Sequence, residues 1–217
     1  DPSKSLLAAK AVMRDRTARM RRIGGIGAQK WLRVRDASAL NKTCARFDAN
    51  LDACGNITQL LGFEGNFSKA CYAEFSGMSG LSKGNSFRRE AGAGELTRGE
   101  ADPIRLANRL IDHGNYLCYG MAGAALWALG IPPHMSIFHG KTRAGGLVFD
   151  LADSFKDAMV LPIAFSLAKE KDAKEAERTF RGRLINAFDD REILKEAIGT
   201  VERMIAAVPP QKRAPDA

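Results

Sequence analysis

The sequence lacks several features that define common protein classes. Aromatic residues make up only 7% of the 217 residues, with 2 Trp and 3 Tyr. No apolar run reaches the roughly 20 residues that a membrane span requires, and the apolar stretch 122–131 is short and followed by Pro132 and Pro133. We therefore expect no membrane-embedded segment.

Paired cysteine motifs are also missing. The 4 cysteines stand at positions 44, 54, 71 and 118 without a C-x-x-C pair. Because they fall within apolar helical patterns, buried reduced thiols are favoured over a zinc site or a disulfide framework. The sequence thus predicts a protein of a reducing, cytoplasmic compartment.

Positive charge is in excess. The chain has 33 Lys and Arg against 25 Asp and Glu, a net charge of +8 at pH 7. Such a balance favours a polyanionic partner, with nucleic acid ahead of an anionic membrane.

The apolar residues recur mostly at helical intervals, so the predicted fold class is all-α. A first amphipathic helix over residues 5–23 should end at Gly24 and Gly25. Its exposed side should be basic, because it would carry Lys10, Arg14, Arg16, Arg21 and Arg22. A second helix follows over 40–51, and a third should begin near Glu64.

The second half predicts further helices. Asp102 and Pro103 are typical of an N-cap and first helical position, opening a long helix to Gly130 that we expect at the centre of the core. Another helical pattern starts near Asp150, and residues 163–206 predict two more. We expect one helical domain over 1–208, a mobile glycine-rich loop over 76–99 and a disordered tail over 209–217.

Four ionisable residues have neighbours typical of a functional site. Glu64 lies between glycines, His139 follows apolar residues, and Asp150 and Asp153 are three positions apart, so one helical turn would place both on one face. Carboxylates suit Mg²⁺ or Mn²⁺, and one imidazole favours Mn²⁺. Each has a structural alternative: Glu64 as a helix-start carboxylate, His139 as a hydrogen-bonded core residue and Asp150 as an N-cap.

Three segments together resemble one family. Residues 61–72, LGFEGNFSKACY, resemble the glycine–glutamate–glycine segment of the CRISPR-associated spacer-acquisition integrases. The segments 101–108 and 114–120 look like that family's central helix. Residues 131–140 and 147–153 look like its histidine and paired-aspartate segments, so the resemblance covers about residues 55–170.

The resemblance implies specific roles. It places the metal ligands, for Mg²⁺ or Mn²⁺, on Glu64, His139 and Asp153, with Asp150 as the accompanying catalytic aspartate. DNA contacts are expected at Lys69, Arg88, Arg89, Tyr119, Lys141 and Arg143. Each of the five Lys and Arg residues could instead be a solvated surface charge, and Tyr119 could instead pack between helices.

The implied function is that of a metal-dependent DNA endonuclease and integrase. Such an enzyme inserts short foreign DNA fragments into a CRISPR array by attack of a 3′ hydroxyl on a phosphodiester. The family carries an N-terminal β-rich domain, and since nothing before the first helix could encode it, we expect a trimmed or a naturally short helical catalytic domain. Implied partners are double-stranded DNA, a second copy in the full-length form and a small ferredoxin-like companion protein.

Two alternatives remain open at this point. A transposon-encoded relative would perform the same strand transfer on the ends of its element. A noncatalytic DNA-binding scaffold would use the basic surface alone, with the acidic residues capping helices.

Overall fold

The computed structural model describes residues 1–81, 87–90, 92, 102–140 and 145–210. Within these residues the chain is helical and contains no β-strand, as the all-α prediction requires. The helices are α1 (Pro2–Arg19), α2 (Gly25–Leu32), α3 (Ser38–Ala53), α4 (Ile57–Met78), α5 (Pro103–Ala128), α6 (Gly146–Ala152), α7 (Lys156–Leu167), α8 (Ala173–Asp190) and α9 (Ile193–Ala206).

The first helix does not end at Gly24 and Gly25, so that prediction was wrong. A π-helical turn over Met20–Gly24 joins α1 directly to α2. A Cβ atom on Gly24 would lie 2.7 Å from Sδ of Met20, and one on Gly27 would lie 2.6 Å from Cγ of Pro162. Gly27 thus allows α2 to approach α7 closely, and Gly24 leaves room for the side chain of Met20 in its own turn.

Helices α3 and α4 pack against each other, and α4 begins earlier than predicted. Its N-cap is Asn56, whose side chain accepts a hydrogen bond from the backbone N–H of Gln59. Glu64 therefore lies two turns inside the helix, and the expectation that it stands at a helix start was wrong.

Helix α5 begins as predicted, with the Asp102 side chain accepting from the backbone of Ile104 and Arg105. It is not the most deeply buried helix, however. All residues from Asp157 to Phe165 in α7 are buried, whereas α5 exposes Tyr116 and Trp127. Helix α7 packs against α2, α4, α5 and α8 and forms the centre of the core.

One helical pattern near Asp150 becomes two helices. Residues 153–155 form a buried corner between α6 and α7, and α7 continues through an internal Pro162. The two helices predicted within 163–206 are α8 and α9.

Other predictions have mixed outcomes. All four cysteines are free and buried, as predicted. In the part of the chain that the structure describes, no helix is long and apolar enough to cross a membrane. Most of the 76–99 segment, namely 82–86, 91 and 93–99, lies outside the described residues, as does 211–217 of the predicted tail.

Candidate metal centre and DNA-binding cleft

His139 is held by the carboxylate of Asp150. Oδ1 of Asp150 lies 2.6 Å from Nδ1 of His139, and Oδ2 accepts hydrogen bonds from the backbone N–H of Ile137 at 2.6 Å and Phe138 at 3.3 Å. Asp150 is fully buried in the middle of α6. The expectation that it caps the start of a helix was wrong: it organises the loop that carries His139.

Asp153 faces the other nitrogen of the same imidazole. Its Oδ2 lies 3.6 Å from Nε2 of His139. Its Oδ1 forms an ion pair with Lys156 in the first turn of α7. Asp153 is the C-cap residue of α6, so the corner that follows this helix fixes its direction.

Glu64, on α4, is hydrogen-bonded to the buried side chain of Arg16. Oε1 of Glu64 accepts from Nη1 of Arg16 at 2.6 Å and from Oγ of Ser68 at 2.8 Å. The same guanidinium donates through Nη2 to Ser68 at 2.6 Å and forms an ion pair with Asp157. Arg16 is only 1% exposed, which corrects its placement on the basic exposed side of the first helix.

Electrostatics connect the three predicted ligands. Burial alone would raise the pKa of Glu64, but the charge and hydrogen bond of Arg16, together with Lys156, bring it to about 2. Burial works to lower the pKa of His139, yet its hydrogen bond to Asp150 and the charges of Asp153, Asp150 and Glu64 raise it above its usual value. Glu64, His139 and Asp153 thus belong to one electrostatic cluster.

The cluster carries more negative than positive charge. Its four carboxylates are Glu64, Asp150, Asp153 and Asp157, and its two cations are Arg16 and Lys156. By formal count the carboxylates outnumber these two cations by two, around His139 and in a largely buried region, where unbalanced charge is costly. Burial opposes the charged form of Lys156, but Asp153 and Asp157 raise its pKa well above the usual lysine value.

The donor set suits a divalent cation. Oxygen and imidazole ligands are those of Mn²⁺ and Mg²⁺ sites, and an imidazole whose second nitrogen bonds a carboxylate is the usual arrangement of a histidine ligand. Among the described residues, no three His, Cys, Asp or Glu side chains are already grouped as a metal cage. Glu64 and Asp153 each contact a cation in this conformation, so a bound metal would require their carboxylates to turn towards His139.

Sequence reasoning named Glu64, Asp150, Asp153 and His139 but missed Asp157 and the two cations of the cluster. Lys156 stands three positions after Asp153, a spacing at which two side chains can meet. That signal was available. No local pattern distinguishes Arg16 from its exposed neighbours, because its partners Glu64 and Asp157 are 48 and 141 positions away.

A basic cleft opens on the same helix as Glu64. Its cavity volume is about 770 Å³, and it is lined by Arg46, Asn66, Lys69, Ala70, Tyr72, Ala73, Phe87, Arg88 and Arg89. Arg46, Lys69 and Arg88 are exposed, whereas Arg89 is paired with Asp112 and bonded to Asn108. The structure thus brings together three of the predicted DNA contacts, of which Arg89 is already engaged.

Of the three other predicted DNA contacts, one is described by the structure and two are not. Tyr119 packs edge-on against Phe149, with ring centroids 4.7 Å apart, next to the residue that holds His139. Lys141 and Arg143 lie outside the described residues.

The sequence pattern of the family described as "CRISPR associated protein Cas1" matches residues 1–201, and the chain belongs to this family. A CRISPR-associated endonuclease Cas1 of Pectobacterium atrosepticum is 41% identical over 157 residues, which cover 72% of this chain and 44% of the relative. The protein of the same description in Pseudomonas aeruginosa is 35% identical over 211 residues, covering 93% of this chain and 59% of the relative. The chain therefore spans about half the length of these relatives.

Solved structures show the same fold. A Cas1 protein of Thermotoga maritima matches all of this chain and 70% of its own length, with a TM-score of 0.66 at 19% identity. The crystal structure of a TtCas1–DNA complex matches 89% of this chain and 66% of its own length, with a TM-score of 0.56 at 22% identity.

Proposed function

We propose that this helical domain is the catalytic part of a metal-dependent DNA endonuclease and integrase that inserts short foreign DNA fragments into a CRISPR array. The observation that carries the proposal is a group of four carboxylates and only two cations around an oriented histidine, with a basic cleft lined by residues of the same helix as Glu64. The relatives' description as endonucleases and the DNA bound in one structural neighbour support it.

In this proposal, different residues position the ligands, bind the metal and bind the DNA. Asp150 holds the imidazole so that Nε2 faces the cluster, and Arg16 of α1 keeps Glu64 ionised and holds its carboxylate in place. Bound next to Glu64, His139 and Asp153, Mg²⁺ or Mn²⁺ would polarise a phosphodiester and favour deprotonation of an attacking 3′ hydroxyl. Arg46, Lys69 and Arg88 would hold the DNA backbone through its phosphates, without reading its sequence.

Strand transfer is chemically balanced. The 3′ oxygen forms a bond to phosphorus, and the bond between phosphorus and the displaced 3′ oxygen breaks, so one phosphodiester replaces another. The reaction can therefore run backwards on a branched DNA. With water as the attacking group, the same centre would act as a nuclease.

Partners and location follow as part of the proposal. Double-stranded DNA is the substrate, and the full-length form would act as a homodimer with a small ferredoxin-like companion. A reducing cytoplasm would keep the four buried thiols free.

The test is resolution of a fluorescent branched DNA in Mn²⁺, which does not depend on assembly of a full integration complex. We expect single replacement of Glu64, His139 or Asp153 by Ala to abolish turnover while the helical circular dichroism remains. Ala in place of the exposed Glu202 is the matched control and should leave the rate unchanged. Equal turnover in all four variants would place the chemistry away from Glu64, His139 and Asp153, and an unmodified chain with no Mn²⁺-dependent turnover would favour the noncatalytic scaffold.

A further inference from the structure

We infer that Arg19 is a positioning residue for the metal centre: it anchors the corner between α6 and α7 that carries Asp153, and ties this corner to α9. The inference rests on the proposed function, because the corner matters for catalysis only if Asp153 is a ligand. Arg19 lies on α1, three positions after Arg16 and therefore on the same face of the helix.

The Arg19 guanidinium reaches two elements at once. Nη1 donates to the backbone carbonyl of Ser154 at 3.3 Å. Nη2 donates to the backbone carbonyl of Glu196 at 2.6 Å and to Oγ1 of Thr200 at 2.8 Å, both on α9. Arg19 is only 2% exposed, so these bonds form away from water.

The carbonyl that Arg19 binds is at the centre of the corner. Ser154 and Phe155 are fully buried, and their N–H groups already bond the carbonyls of Leu151 and Ala152 at the end of α6. A buried backbone carbonyl without a donor is destabilising, so loss of the arginine fork would shift or loosen the Ser154 peptide.

A shift at Ser154 is transmitted directly to the neighbouring Asp153. That residue faces His139 with one oxygen and Lys156 with the other. On the far side of the corner, Arg16 forms an ion pair with Asp157. Helix α1 therefore holds the corner from both sides, through two arginines three residues apart.

A second arginine at the same interface provides a matched control. Arg203 on α9 binds Asp15 on α1 through Nε at 3.0 Å and Nη2 at 2.7 Å. It joins the two helices as Arg19 does, but its hydrogen bonds go to Asp15 and not to the corner. Arg19 also pairs with the carboxylate of Glu196, at 3.1 Å from Nη2. An effect common to both arginines therefore reports helix attachment, and only an effect on residues 150–157 that is specific to Arg19 reports the corner.

The experiment compares Arg19→Met, Arg19→Lys and Arg203→Met with the unmodified chain. Arg19→Lys keeps the charge but cannot bond Ser154 and α9 together, since an ammonium lacks the planar fork. It also serves as the second variant if Arg19→Met fails to fold. The two readouts are hydrogen exchange of the peptide spanning 150–157 without metal, and the Mn²⁺ dissociation constant from electron paramagnetic resonance.

We expect both Arg19 variants to exchange the 150–157 amides at least about tenfold faster than Arg203→Met. Their Mn²⁺ dissociation constants should rise by about tenfold or more, as for loss of a group that orients a ligand, while that of Arg203→Met stays within about twofold of the unmodified chain. Exchange and Mn²⁺ affinity indistinguishable between the Arg19 and Arg203 variants would overturn the inference. If instead the unmodified chain shows no Mn²⁺ binding that His139→Ala removes, the proposed metal centre fails, and the exchange comparison alone decides whether Arg19 anchors the corner.

Discussion

Asp150 is the residue on which the geometry of His139 depends. Its carboxylate accepts from the backbone of the 136–139 loop and from the imidazole at the same time. An Asn side chain has one acceptor oxygen where the carboxylate has two, so it cannot satisfy all of these donors.

We therefore predict that Asp150→Asn weakens Mn²⁺ binding about 10- to 100-fold with the helical fold retained. Isothermal titration calorimetry measures the binding, and Asp189→Asn on the exposed side of α8 is the control. Unchanged affinity in Asp150→Asn would mean that this residue only supports the loop.

The protonation of His139 sets a pH limit on activity. Only the neutral imidazole binds a metal, and the neighbouring carboxylates raise its pKa above the usual 6.5. Because the folded pKa is raised, protonation begins at a higher pH, and activity should fall as the pH drops through a midpoint above 6.5.

A rate profile of Mn²⁺-dependent resolution of branched DNA between pH 5 and 8.5 measures this midpoint. A profile that stays flat down to pH 5 would show that His139 is not a ligand in the active state.

At this scale the sequence predicted the acidic and imidazole groups but not what holds them. Glu64, His139, Asp150 and Asp153 have recognisable neighbours in the chain. Arg16 and Arg19 look like the exposed arginines around them, because burial of a guanidinium depends on partners far away in sequence. Only the folded chain distinguishes the two kinds of arginine.

Among the helices, glycines mark where two elements touch. A Cβ on Gly114 of α5 would lie 2.7 Å from Cγ1 of Val160 in α7 and 2.8 Å from Cζ of Phe180 in α8. Gly182 of α8 is also inside a helix, but a Cβ there would meet nothing within 4 Å.

Gly114→Ala should therefore lower the free energy of unfolding by about 1–3 kcal/mol, through overpacking. Gly182→Ala should raise it by about 0.5–1 kcal/mol, since alanine is the better helix former. Urea unfolding followed by circular dichroism compares the two, and equal effects of the same sign would contradict the packing between α5, α7 and α8.

The sequence predicted most helices but not their ends. The Asp102–Pro103 start of α5 carries a strong local signal and was confirmed. Gly24 and Gly25 carry an equally strong signal for a helix end, yet the chain continues through a π-helical turn into α2, where Gly27 lies against Pro162 of α7. A tertiary contact overrides local propensity there, and no reading of neighbouring residues could reveal it.

At the scale of the whole molecule, part of the excess positive charge is concentrated at one cleft. Arg46, Lys69 and Arg88 are exposed around one cleft near Glu64. Each phosphate contact to duplex DNA contributes about 0.9 to the slope of log affinity against log salt concentration.

Replacing these three residues together by Ala should lower that slope by about 2–3 and weaken binding similarly for unrelated sequences. Fluorescence anisotropy at several salt concentrations measures the slope, with Lys195→Ala on α9 as the exposed control. A slope unchanged by the triple replacement would place the DNA on another surface.

The central claim is that Glu64, His139 and Asp153 bind one divalent cation together. A crystal soaked in Mn²⁺ and measured at the manganese absorption edge tests it directly. The account predicts one anomalous peak within about 2.0–2.3 Å of Nε2 of His139 and of a carboxylate oxygen from both Glu64 and Asp153. A peak elsewhere, or none at this position while Arg16 and Lys156 keep their ion pairs, would contradict it.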